Sequence, residues 1–132
     1  MNGTSLGFDF NPVRDRIRLA SDADQHLRLN PNDGTLNTVG SLSPGFDISG
    51  LVGFDIFFDN RAFASLTPTT SACSSLFSIN LTTGAATLIG LIGSGRTIAG
   101  IAIQQDPEPA TITLLAAALL GSVAVRARRR LK

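Results

Sequence analysis

Tryptophan and tyrosine are absent from this chain, and cysteine, histidine and methionine occur once each. A single cysteine, Cys73, excludes an internal disulfide. A single histidine, His26, leaves no credible Ser-His-Asp relay. Cys73 lies in Thr67-Pro68-Thr69-Thr70-Ser71-Ala72-Cys73-Ser74-Ser75, a loop composition far from His26 in sequence. A nucleophilic thiol needs a neighbouring base or a positive setting, so an incidental loop thiol is expected. The N-terminus is sparse as well: Met1-Asn2-Gly3-Thr4-Ser5 has neither the basic nor the apolar region of a secretory signal. Charge is scarce and unevenly placed. Residues 1–106 hold six arginines and nine aspartates, a net −3, whereas residues 107–132 hold five basic side chains against Glu108, a net +4. An acidic domain is a poor partner for nucleic acid, which draws a basic face.

What the chain does have is a tail in three parts. Pro107-Glu108-Pro109 comes first, and proline keeps the backbone extended before any helix begins. The 16 residues 110–125 follow without a charge, and Leu114-Leu115-Ala116-Ala117-Ala118-Leu119-Leu120 is rich in helix formers. A helix there is about 24 Å long, a little short of the ~30 Å hydrocarbon core. Snorkelling arginines and local thinning offset that shortfall. Arg126, Arg128, Arg129, Arg130 and Lys132 close the chain, and the positive-inside rule keeps them cytoplasmic as a membrane stop. The domain before Pro107 then lies outside. Such a domain needs export, so the expectation is a chain truncated at its N-terminus.

Pro107-Glu108-Pro109-Ala110, a short apolar helix and a terminal arginine cluster resemble the PEP-CTERM sorting signal of Gram-negative bacteria. The resemblance implies recognition by an exosortase, a membrane-embedded cysteine transpeptidase, with Pro107, Glu108 and Pro109 as recognition residues of a substrate. It further implies cleavage near Pro107 and delivery to the cell surface or extracellular matrix.

Before the tail the pattern is β throughout. Gly7-Phe8-Asp9-Phe10, Arg16-Ile17-Arg18-Leu19-Ala20 and His26-Leu27-Arg28-Leu29-Asn30 alternate with period two, which places Ile17 and Leu19 inward. Asn30-Pro31-Asn32-Asp33-Gly34 is a turn, since Gly34 can take positive φ, and Thr35-Leu36-Asn37-Thr38-Val39 returns. The pattern then repeats. Gly53-Phe54-Asp55-Ile56 echoes the first run 46 positions on, Leu76-Phe77-Ser78-Ile79-Asn80 answers the third, and Leu81-Thr82-Thr83-Gly84 answers the turn. Ile98-Ala99-Gly100-Ile101-Ala102-Ile103 begins a third unit. Four short strands recurring at such a spacing are the mark of propeller blades.

Gly7-Phe8-Asp9-Phe10-Asn11-Pro12, Asp15-Arg16-Ile17-Arg18 and Leu27-Arg28-Leu29-Asn30-Pro31 with Gly34 resemble an uncharacterised bacterial domain family with propeller-like repeats. Its members often carry a surface-sorting tail. That likeness implies fold and locale and brings no chemistry.

Two clusters of polar residues are candidate sites. Asp9, Asn11, Asp15, Asp22 and Asp24 offer oxygens to calcium, but without the spacing of an EF-hand loop. Turn capping accounts for them more simply. Arg14, Arg16, Arg18 and Arg28 form either a basic stripe for an anionic glycan or cross-strand pairs with Asp9, Asp15 and Asp22, and the pairing is favoured. Gly90-Leu91-Ile92-Gly93-Ser94-Gly95-Arg96 lacks the Lys-Ser/Thr step of a phosphate loop.

The whole reads as all-β: incomplete propeller-like repeats, about two four-stranded units plus one strand, followed by a single C-terminal transmembrane helix. Residues 1–104 are the repeat domain, 105–109 the Pro-Glu-Pro linker, 110–125 the membrane helix and 126–132 the basic cytoplasmic tail. The expected role is that of a non-enzymatic surface or matrix protein without a catalytic set. Its expected partners are exosortase, the lipid bilayer, and an extracellular polysaccharide or another surface protein. Two alternatives stand: a hydrolase or lyase whose catalytic residues lie in missing blades, and a plain tail-anchored protein.

Overall fold

The computed structural model describes residues 1–104. Eight strands form: β1 (Leu6–Asn11), β2 (Arg16–Ser21), β3 (Gln25–Leu29), β4 (Leu36–Ser41), β5 (Ile48–Ile56), β6 (Ala62–Pro68), β7 (Ser75–Ile79) and β8 (Ala86–Leu91). They make two antiparallel sheets of four strands, in the orders β1-β2-β3-β4 and β5-β6-β7-β8. No helix occurs among the described residues. The proposed linker, membrane helix and basic tail lie outside them.

The two sheets are copies of one another in register. Gly7 stands opposite Ala20 as Gly53 stands opposite Ser65, and Asp9 opposite Arg18 as Asp55 opposite Phe63. The β-bulge between His26 and Leu27 recurs between Leu76 and Phe77. The third turn is built twice by the same bonds. The Gly34 N–H donates to the Asn30 carbonyl at 2.9 Å, and the Gly84 N–H to the Asn80 carbonyl at 2.8 Å. Both glycines take positive φ, 71° and 90°. In each turn the asparagine side chain also accepts from the N–H two residues on, Asn32 or Thr82. Even the left-handed residue ahead of the second strand is matched, Asp15 at φ 48° and Asn60 at φ 72°. Asparagine and aspartate tolerate that region because their short polar side chains bond locally.

The sheets are joined through their first strands. A Cβ on Gly7 would lie 2.7 Å from the Phe54 nitrogen, so β1 meets β5 at a distance only glycine permits. The same step recurs one unit on, where a Cβ on Gly53 would lie 2.8 Å from the Gly100 Cα. Aspartate repeats with it. Asp9 Oδ2 accepts from the Ile56 N–H at 2.8 Å, and Asp55 Oδ2 from the Ile103 N–H at 2.6 Å. The segment Ile98–Ile103, expected to be a strand, therefore sits against β5 as β5 sits against β1. It carries no ladder, because no neighbouring strand pairs with it among the described residues. Ser74 pins the approach to it, accepting on Oγ from the Ile98 N–H at 2.9 Å.

The core lies between the sheets. Val52, Phe54, Ile56, Ala62, Ala64, Leu66, Phe77 and Ile79 of the second sheet pack with Ala20 and Leu42. The alternation on β2 runs opposite to the expectation. Arg18 is the buried residue, and Ile17 and Leu19 are half-buried. Period two separates two faces but does not say which face meets a neighbour. Here Gly7, Asp9, Arg18 and Ala20 share the face turned to the second sheet.

Gly7→Ala is expected to destabilise the domain by about 2 kcal/mol or more in urea unfolding, because backbone on both sides must move. Gly50→Ala, where an added Cβ meets nothing within 4 Å, is expected to stay within about 0.5 kcal/mol of wild type.

Candidate functional site: an arginine-lined cavity between the sheets

The face of the first sheet that meets the second changes character along its length. At one end Ala20 and His26 pack on β5, and at the other the register places Arg16, Arg18 and Arg28 side by side. Arg14, from the turn before β2, joins them. These four arginines line a cavity of about 530 Å³, completed by Asn37, Thr38 and Val39 of β4 and by Leu81 and Thr82 of the turn before β8.

Arg18 is the inner wall. It is 6% exposed, its Nη1 donates to the Leu81 carbonyl at 3.0 Å, and its Nε has no acceptor. Burial lowers its pKa from the ordinary value, and the charges of Arg28, Arg14 and Arg16 lower it further. Arg16 donates to its neighbour's carbonyl, Asp15, at 2.6 Å, while Arg14 and Arg28 are exposed at the rim.

The expected cross-strand pairs do not form. Among the described residues the ion pair is Arg61 with Asp59, at 2.6 Å. The aspartates bond elsewhere: Asp9 to the Ile56 backbone, Asp15 to Asn32, Asp22 to Thr4. Asp24 accepts from the Ser43 N–H at 2.7 Å and bonds the Ser41 hydroxyl, and Asn11 donates to Asn60 at 2.7 Å. The residues considered for calcium thus bond to different partners, and no three metal-ligating side chains gather among the described residues. Asp9, Asp22 and Asp24 satisfy backbone or hydroxyl donors and Asp15 the Asn32 amide, so none of them forms an ion pair with these arginines.

On β5, Asp55 is also shifted. Burial holds its carboxyl above the usual range and the charge of Asp9 adds to this, while the Ile103 N–H acts against it. Cys73 sits in the loop between β6 and β7, its N–H bonded to Ser71 Oγ at 3.1 Å, with no base placed on its thiol. Pro107, Glu108, Pro109, Arg126, Arg128, Arg129 and Arg130 lie outside the described residues.

A feature whose burial the sequence did not indicate is His26. It is fully buried, stands 5.9 Å from the Phe54 ring between centroids, and neither ring nitrogen has a partner. Burial, then the charge of Arg18, brings its pKa down to about 4. Its only sequence signal is the repeat, in which the matching position is Leu76.

Two repeated all-β units ahead of a tail with a sorting signal define a class of surface-directed protein, since residues 107–130 match the PEP-CTERM protein-sorting motif. The chain belongs to the family described as Domain of unknown function (DUF4394), whose matches cover residues 1–32 and 29–102. No curated protein and no solved structure matches it. The motif is a substrate signal for exosortase and marks the chain for exosortase-dependent sorting to the cell surface.

Neutral His26 fixes a pH dependence. The unfolded chain takes up this proton near pH 6.5, the folded one only near 4, so the unfolded state binds more protons in between. Stability is full above about pH 6.5 and is expected to fall by up to about 3 kcal/mol as pH drops towards 4. His26→Leu, which installs the residue of the second unit, is expected to remove that component in urea titrations at successive pH values.

Proposed function

We propose that this is a non-enzymatic protein of the cell surface or extracellular matrix, built from propeller-like repeats and delivered through its PEP-CTERM signal. The observation that carries the sorting half is the match at residues 107–130. In this reading residues 110–125 span the bilayer as a helix during transit, Arg126, Arg128, Arg129 and Arg130 hold the cytoplasmic side, and exosortase recognises Pro107, Glu108 and Pro109.

The propeller-like reading is supported by the inter-sheet step. Gly7 on Phe54 and Gly53 on Gly100, with Asp9 on Ile56 and Asp55 on Ile103, apply one spatial relation twice. An operation that repeats between successive four-stranded sheets is how blades accumulate around an axis. A binding or structural role is supported by the chemistry of the cavity. Guanidinium groups donate hydrogen bonds and do not exchange protons near neutrality, so they hold ligands better than they act as general acids or bases. An extracellular polysaccharide or another surface protein is the partner class this reading favours.

Mass spectrometry of the protein recovered from the cell surface is the test. A mature C-terminus near Pro107 is expected. A surface protein that retains residues 126–132 would overturn the sorting reading.

A further inference from the structure

Neither the repeat nor the sorting signal accounts for the arginines of the first sheet. In the second sheet the register puts Arg61, Phe63 and Ser78 where the first has Arg16, Arg18 and Arg28. An equivalent sheet is therefore built with an aromatic ring and a hydroxyl in place of two guanidiniums, so the architecture does not demand them. They also carry a cost. Four like charges share one cavity, Arg18 is 6% exposed, its Nε lacks an acceptor, and no carboxylate among the described residues is paired with any of the four. An anion in the cavity relieves the repulsion.

We infer that this cavity binds the oxyanion group of an acidic saccharide, a uronate carboxylate or a sulfate ester, held by Arg14, Arg16, Arg18 and Arg28. The inference rests on the reading of the domain as a surface binding module. The guanidinium fork matches a planar or tetrahedral oxyanion in bidentate fashion. Beside the arginines, Asn37, Thr38 and Thr82 line the wall with amide and hydroxyl groups, the complements of sugar hydroxyls. The volume, about 530 Å³, lies in the range of small-ligand sites and exceeds what a lone ion fills. Because the chain has no tryptophan or tyrosine, it has no indole or phenol platform for stacking a neutral sugar ring. No phenylalanine lines the cavity either, so its recognition chemistry is charge and hydrogen bonding. A nucleic acid phosphate would meet the same guanidiniums, but the amide and hydroxyl groups of Asn37, Thr38 and Thr82 beside them suit sugar hydroxyls, and a DNA probe separates the two.

Isothermal titration of the full chain in detergent micelles tests this with five probes: oligogalacturonate, sulfated dextran oligosaccharide, neutral dextran oligosaccharide, inorganic sulfate and a short DNA duplex. At least one acidic oligosaccharide is expected to bind, with affinity falling as salt rises, and neutral dextran is not. Binding of oligogalacturonate alone assigns the carboxylate, and of sulfated dextran alone the sulfate ester. Arg14→Ala with Arg28→Ser is expected to weaken binding at least tenfold. Both residues are exposed, and serine is the residue the second unit carries, so the melting temperature should hold. If the pair lowers it, Arg28→Ser alone is expected to weaken binding at least threefold. The inference is overturned if no acidic saccharide binds or if these variants bind as wild type does. It is equally overturned if neutral dextran or DNA binds as tightly, or if inorganic sulfate is the sole ligand. A C-terminus retained at the surface would remove the sorting reading while leaving this titration untouched.

Discussion

Strand β5 enters its sheet as an edge, with backbone donors on one side that no ladder satisfies. A carboxylate from the neighbouring sheet, Asp9, accepts the Ile56 N–H there. It can do so because Gly7, two residues earlier on the same face, lets the two backbones close to contact. An unpaired edge is a liability that proteins cover, and here the cover is a side chain from the adjacent sheet. The remainder follows from that contact: how the sheets face each other, where the apolar core closes, and where it stays open.

Once β1 lies on β5, the face of the first sheet is divided. Small Ala20 and neutral His26 fit against Phe54 and its neighbours, so the sheets close there. Long, charged Arg16, Arg18 and Arg28 line the cavity at the other end, where the Arg18 bond to the Leu81 carbonyl and the Asn11 bond to Asn60 cross between the sheets. The same strands thus produce a dry core and a polar cavity. The difference is a matter of side-chain length and charge on one face, with backbone geometry constant between the two units.

Much of the fold was legible in the sequence because its signals are local. The 46-position echo of Gly7-Phe8-Asp9-Phe10 in Gly53-Phe54-Asp55-Ile56, and the paired Asn-Gly turns, pointed to two four-stranded units and to their repeat. The cavity was not legible, because it depends on which face meets the next sheet. Alternation on Arg16-Ile17-Arg18-Leu19 suggested apolar residues inward, yet this sheet turns its arginines to its neighbour. The pairing of those arginines with aspartates failed for a related reason: Asp9, Asp15 and Asp22 each found an uncharged donor instead. The third unit was legible as a start, Ile98-Ala99-Gly100-Ile101, but not as a strand, since a ladder needs a partner.

Side-chain carboxylates cap the open edges between successive units, Asp9 on Ile56 and Asp55 on Ile103. Amide hydrogen exchange at Ile56, followed by nuclear magnetic resonance in the wild type and in Asp9→Ala, measures this most directly. Strong protection of the Ile56 amide in the wild type is expected, lost in the variant while the β6–β7 ladder amides remain protected. An Ile56 amide that exchanges in the wild type as fast as an open loop would contradict the account.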